Sequence, residues 1–194
     1  MANKITYGLD KLAYAKITTW TDGVPTFGTV TDIPGAVSIS FSNEGDLTKF
    51  KADNIDYWVG EANNGYSGTF EVADLPQSFY TDIVGAKSDS NVVIYEDQEA
   101  KSSHFALLFQ FQGDEKAVRH VLYNCVAKRP PVGSQTKGDT IEPNTITVDV
   151  EASGAKLEVK SGVHKMVVKA FATSAANTTA YNGWYTAVYT PVET

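Results

Sequence analysis

Residues 105–125 read FALLFQFQGDEKAVRHVLYNC, two alternating runs about a Gly113-Asp114-Glu115 turn. Side chains alternate across a strand, so Phe105, Leu107, Phe109 and Phe111 share one face while Ala106, Leu108, Gln110 and Gln112 share the other with His104. One face of this hairpin must be buried; the other is free to be wet or to line a cavity. A ribbon this apolar, with no chemistry at its turn, points to an all-β structural protein rather than an enzyme.

The same alternation extends in both directions. Leu12 to Thr19 is a first strand, followed by the Thr21-Asp22-Gly23-Val24-Pro25 turn; in Ala36 to Ser42, Val37, Ile39 and Phe41 alternate with Ser38, Ser40 and Ser42. Tyr66 to Ala73 resumes the pattern. Asp74 to Gly85 then predicts one short helix, with Asp74 as N-cap, Pro76 in the first turn, Gly85 as C-cap and Leu75, Phe79, Ile83 and Val84 as its buried stripe. Asn91 to Glu96 is a short strand, and Pro131 to Pro143 is a polar loop. Ile146, Val148 and Val150 alternate with Thr145, Thr147, Asp149 and Glu151, Ser153-Gly154 predicts a tight turn into Ala155 to Lys160, and Lys165 to Thr173 is a further strand. The tail at 174–189 fits a short helix and a docked extended arm equally well. Asn43 to Gly65 interrupts the sheet as a long polar loop that nevertheless carries Leu47, Phe50, Ile55, Tyr57, Trp58 and Val59. Long loops belong to function or to disorder, and six bulky apolar residues argue against disorder.

Composition narrows the function. The 194 residues, 42% of them hydrophobic, suffice for one well-buried domain over 1–194. A net charge of −7 without a basic cluster argues against gripping nucleic acid. Cys125 is the one cysteine, which excludes an intramolecular disulfide and a cysteine-based zinc site, and its strand pattern predicts a buried inert thiol. The N-terminus has no apolar leader segment and no run approaches the roughly 18 apolar residues of a spanning helix, so a soluble protein folded in a cytoplasm is expected. His104, His120 and His164 form no metal-binding spacing, and no nucleophile elbow or phosphate loop is present. Neither a catalytic centre, a metal nor a cofactor is expected. The carboxylate pairs Glu71/Asp74 and Asp149/Glu151 are what any strand with a polar side shows. The Asn177-Thr178-Thr179 sequon has no meaning without secretion. Tyr57, Trp58 and Tyr66 could form a sugar-stacking platform, making a carbohydrate- or cell-wall-binding β-sandwich module the alternative; the same rings in a long loop also suit a protein–protein contact, which is the favoured reading.

Four blocks, IPGAVSISFSNEGDLTKFKADN (33–54), NNGYSGTFEVADLPQSFYTDIVG (63–85), FALLFQFQGDEKAVRHVLYNCVAKRP (105–130) and TKGDTIEPNTITV (136–148), resemble in order the major tail proteins of long, flexible-tailed phages of Gram-positive bacteria. The resemblance covers most of the chain and thins after about Val150, apart from the closing aromatic run Tyr181 to Pro191. It implies a β-sandwich, or partly open barrel, with one flanking helix, whose copies form hexameric rings that stack into a tube conducting DNA from capsid to cell. The implied partners are further copies of the chain and the tape measure, tail terminator and distal tail proteins, with DNA passing unbound. The implied location is the tail of the virion, assembled in the host cytoplasm.

The resemblance also implies that four strands of each copy join a continuous inner barrel. The strands 37–42 and 68–73 would pair with the hairpin strands 105–112 and 117–127 to supply them. Six such sets, twenty-four strands about 4.8 Å apart and tilted as in ordinary barrels, enclose a ring roughly 45–50 Å across. Closure removes exposed sheet edges. Ser38, Ser40, Glu71, Gln110 and Gln112 are the expected lumen lining, a wall that repels or ignores phosphates. The segment 43–65 is the expected ring-stacking loop, anchored by Leu47, Phe50, Tyr57 and Trp58. The N-terminal arm 1–10 and the loop 131–143 are secondary contact candidates, and 174–194 is set apart as a C-terminal segment.

Overall fold

The longer strands arise where apolar and β-branched residues alternate, and in the computed structural model, which describes residues 3–136, 143–173 and 175–193, fifteen strands form one long antiparallel sheet and three small ribbons. In chain order they are β1 (Thr6–Thr21), β2 (Val24–Phe27), β3 (Thr31–Asp32), β4 (Ala36–Asn43), β5 (Leu47–Ala52), β6 (Ile55–Glu61), β7 (Tyr66–Val72), β8 (Lys87–Ser88), β9 (Ile94–Tyr95), β10 (Phe105–Gly113), β11 (Val118–Ala127), β12 (Ile146–Ser153), β13 (Ala155–Lys160), β14 (Val163–Val167) and β15 (Lys169–Ala172). The long sheet runs β2-β1-β10-β11-β12-β7-β4, with β3 added to β1 and β15 to the first half of β11.

This sheet folds over on itself as a sandwich. The inner faces of β1, β10 and β11 meet those of β12 and β7 in a core containing Leu12, Tyr14, Phe70, Val72, Phe105, Leu107, Phe109, Leu122, Cys125, Val148 and Val150. The predicted helical stripe joins it: Leu75, Phe79, Ile83 and Val84 are all buried there. Phe79 meets Tyr14, Phe70 and Phe105 edge to face, at centroid distances of 5.3, 6.0 and 5.8 Å, the arrangement that aromatic quadrupoles favour. The helix itself is shorter than expected. A single α turn, α1 (Gln77–Phe79), with Pro76 rather than Asp74 at the N-cap, widens into a π turn over Tyr80–Val84. It stops at Gly85, whose φ of 87° is the left-handed conformation a glycine adopts without strain. Tyr14 donates to Asp82 at 3.0 Å and ties the turn to β1.

The opening hairpin is buried on both faces, not one. Ala106, Leu108, Val121 and Tyr123 form a second core with Ala155 and Leu157 of β13 and with Tyr181 and Trp184 of the C-terminal segment. That segment is both things the sequence allowed: a short helix, α2 (Thr178–Asn182), a 3-10 turn (Gly183–Tyr185), then an extended tail whose Glu193 N–H donates to Val159 O. Cations hold the aromatics down. Arg119 lies 3.9 Å and Lys116 3.7 Å from the Tyr181 ring centre, and Lys11 lies 4.3 Å from that of Tyr185.

Several sequence expectations are corrected. The segment 43–65 is no loop: β5 and β6 form a hairpin about Asp53 and Asn54, whose φ values of 50° and 63° are those of a two-residue I′ turn. Strands β4 and β7 pair with each other but not with the β10–β11 hairpin, because β12 lies between β7 and β11; they face it across the core instead, Phe41 stacking on Phe109 at 6.4 Å. Ser153-Gly154 does not turn the chain back: β12 pairs β7 and β11, whereas β13 pairs β14, so Gly154 marks where the chain leaves one sheet for another. The strand expected at 165–173 is two, β14 and β15, serving different neighbours. The strand expected at 91–96 shrinks to β9, paired with β8. The N-terminal arm is short, since β1 begins at Thr6 and Asn3 is bound to the β10–β11 turn, accepting from Lys116 N at 2.9 Å. Met1, Ala2, residues 137–142 of the expected loop, Ser174 and Thr194 lie outside the described residues.

Candidate functional site

Three surfaces are built from the residues singled out above. The first is the outer face of β4, β7 and β12. Register sets its rows: Ser38 beside Glu71 beside Thr147, Ser40 beside Thr69 beside Asp149, and Ser42 beside Ser67 beside Glu151. Every residue in the grid is a hydroxyl or a carboxylate, because the apolar partners Ile39, Phe41, Phe70, Val148 and Val150 all point into the core. Beside it a groove of about 710 Å³ runs along β7, β12 and the end of β11, lined by Glu44, Thr69, Lys128, Asp149 and Glu151 among others.

Charge on this face is mostly negative and held in place. Glu71 accepts from Thr145 Oγ1 at 2.5 Å and from Ser38 Oγ at 2.9 Å, and these two hydroxyls hold its carboxyl below the usual carboxylate range, Thr145 the more strongly. Ser67 donates to Glu44. Lys128 is the cation of the groove lining and lies 3.8 Å from Asp149. Ser38, Ser40 and Glu71 therefore share one face, which Asp149, Glu151, Glu44 and Thr69 complete. Pairing β12 next to β7 is a long-range choice that local pattern does not encode.

Gln110 and Gln112 lie elsewhere. They sit on β10, on the side opposite its core-facing phenylalanines. Gln110 is only 8% exposed, donating to Asp10 at 2.7 Å and accepting from Arg119 Nε at 2.9 Å. Gln112 is exposed, beside Gly8.

The second surface is the β5–β6 hairpin. Leu47, Phe50, Tyr57 and Trp58 are 58, 59, 69 and 55% exposed, and Ile55 and Val59 are exposed with them. The strands pair only with each other. Phe50 stands opposite Trp58, whose indole lies across Gly60, where any β-carbon would be about 2.2 Å from the ring. Its lysines are paired locally: Asp56 lies 3.3 Å from Lys49 and 4.0 Å from Lys51. A two-stranded hairpin with apolar residues on both faces gains little stability alone in water. The Asp-Asn turn between β-forming runs was the sequence signal for it. Tyr66 is not part of this cluster; it packs against the core from β7, under Lys169 at 4.4 Å, so the three-ring sugar platform does not assemble.

The third surface is a pair of open edges. Strand β4 ends the sheet, bonded to β7 alone, and β2 ends it on the other side. The sheet does not close into a barrel. Strand β4 approaches the start of β1 without pairing to it, and the two line a gap of about 350 Å³ with Phe111.

No group of three or more potential metal ligands occurs among the described residues. Burial pushes the Cys125 thiol up, as expected of an inert core cysteine. No helix among the described residues is long and apolar enough to cross a membrane. No curated protein matches the chain. The family model described as phage tail tube protein matches residues 1–192, and with that match the chain belongs to the phage tail tube protein family, whose members are structural parts of the virion tail, assembled with other tail proteins.

Proposed function

We propose that this chain is the repeating subunit of a hollow tail tube, six copies closing a ring, the rings stacking, and the lumen conducting DNA into the host cell. The observation that carries the proposal is the outer face of β4, β7 and β12: a continuous grid of hydroxyls and carboxylates, on a family member whose sheet is left open at both edges. Ring closure would add a neighbour's strand at β4 and another at β2, satisfying backbone groups that a single copy leaves to water. Ser38, Ser40 and Glu71, with Thr69, Asp149 and Glu151, would face the channel, where a wall with few cations gives phosphates nothing to hold. Gln112 is a further lining candidate on β10, and Gln110 one whose amide is already engaged by Asp10 and Arg119.

The hairpin, anchored by Leu47, Phe50, Tyr57 and Trp58, would bind the adjacent ring. The tape measure, terminator and distal proteins are the other partners this role requires. The role is mechanical and calls for no catalysis and no cofactor. The wall is tested by replacing Ser40, Glu71 and Asp149 together with lysine. Tubes should still form, while DNA ejection slows or stalls and infectivity falls. Unchanged ejection from such tubes would remove these residues from the channel wall.

A further inference from the structure

The β5–β6 hairpin leaves the sheet between the last residue of β4 and the first of β7, so it marks one end of that layer. A second exposed apolar group marks the other end. Strands β8 and β9 form a small ribbon whose turn carries Val92, 72% exposed, and Val93, with Tyr95 beside them, all exposed. The ribbon's base is fixed near the far end of β7. Glu96 lies 3.5 Å from Arg129, just past β11, and burial first, then the charges of Asp74, two residues beyond β7, and of Glu96, push the Tyr80 hydroxyl's pKa up. The seven residues of β7 put the two ends about 20–25 Å apart.

The turn is built in an unusual way. Val92 has φ of 64°, a left-handed conformation that disfavours a β-branched residue and suits asparagine or glycine. Asp89 holds it there: its Oδ1 accepts from Asn91 N and Val93 N, each at 2.8 Å, and its backbone N–H donates to Val93 O at 3.0 Å. An exposed valine kept in a conformation that a polar residue would fill more comfortably is the kind of local strain that accompanies a contact site. The flanking charges are already paired within the chain, Lys87 with Asp97 at 3.1 Å and Glu96 with Arg129, and the Asp89 carboxylate is held by backbone N–H donors of the turn itself.

The hairpin has the matching properties. Its two lysines, Lys49 and Lys51, share the Asp56 carboxylate, and its six exposed apolar side chains present on the order of 600–800 Å², close to the roughly 800 Å² one partner contributes to a standard interface. Two different apolar surfaces at opposite ends of one layer make a head-to-tail contact, which repeats without closing and so builds a stack.

We infer that the β8–β9 turn, through Val92, Val93 and Tyr95, is the surface on which the β5–β6 hairpin of a second copy seats. This rests on the stacking role proposed for the hairpin and names its receiving surface. The test places a photo-crosslinking benzoylphenylalanine at position 57 and assembles a mixture of unlabelled and ¹⁵N-labelled full-length chains. Adducts joining a light and a heavy chain should map to peptides containing residues 87–101. Inter-chain adducts confined to other segments would overturn the seat while leaving the hairpin's stacking role intact; a complete lack of inter-chain adducts in assembled protein would overturn both. A second variant checks the strained turn. Val92→Asn suits the left-handed conformation, so the subunit should melt no lower than the parent, while the concentration needed for stacking rises at least tenfold. A parental threshold would contradict the inference.

Discussion

Trp58→Ala is the sharpest probe of the stacking hairpin. Trp58 is 55% exposed and touches its own strand at Gly60, so a single copy gains little from the ring's outer surface. A tryptophan presents up to about 250 Å², so a little over half of it, roughly 140 Å², is available for burial by a neighbour, worth about 3.5 kcal/mol at 25 cal/mol per Å². Association returns less than the area suggests, and central aromatic anchors typically cost 2–4 kcal/mol on truncation; about 2–3 kcal/mol per contact is the working figure. Each incoming subunit would lose that contact, so the critical concentration for tube growth should rise about 30- to 150-fold. Pelleting assays across a concentration series read this directly, with electron microscopy identifying the pelleted species. Thermal unfolding of the dilute subunit is the control and should shift by no more than a few degrees. A critical concentration within about threefold of the parent, in a folded variant, would refute the reasoning that the hairpin's apolar surface is buried on assembly.

Two further predictions concern the subunit itself. Phe79→Ala empties a fully buried site among Tyr14, Phe70 and Phe105 and should cost about 3–5 kcal/mol, or roughly 6–20 °C of melting temperature for a chain of this size, measured by calorimetry; Phe79→Leu should cost less than half of that. His120 is packed against Phe109, Phe111 and Phe171, and burial first, then the nearby Lys169, pushes its pKa down to about 4. Its folded pKa lies below the unfolded value of 6.5, so the unfolded chain takes up the proton first and stability falls as pH drops from about 6.5 to 4. The loss should be on the order of 2–3 kcal/mol, and His120→Phe should remove that part of the pH dependence of denaturant midpoints; an unchanged pH profile would contradict it.

Local chemistry made much of the fold legible. The serine-alternating strand at 36–42, the alternation at 146–150 and the buried stripe Leu75, Phe79, Ile83 and Val84 all follow from period, except that the register shift between Ala36 and Ser38 leaves Val37 exposed. What local pattern missed were choices between distant partners. Residues of β12 alternate equally well beside β7 or at an edge, and the decision to insert between β7 and β11 is made by fit to the core. Ser153-Gly154 has the composition of a hairpin turn and acts as a crossing from one sheet to another. Gln110 looked like a wet strand residue because the side chains that engage it, Asp10 and Arg119, are distant in sequence or across the hairpin. The β5–β6 hairpin was within reach of the sequence, through Asp53-Asn54 between β-forming runs, but the polar residues around it favoured a loop reading.

The most direct measurement is electron microscopy of assembled protein at a resolution that separates strands. It should find hollow tubes in which β4 of each copy is hydrogen-bonded to a neighbouring chain, with Ser38, Ser40 and Glu71 turned toward the lumen. Tubes with the β4 edge left to solvent and that polar face on the outer wall, or protein that stays a lone monomer at every concentration tried, would contradict it.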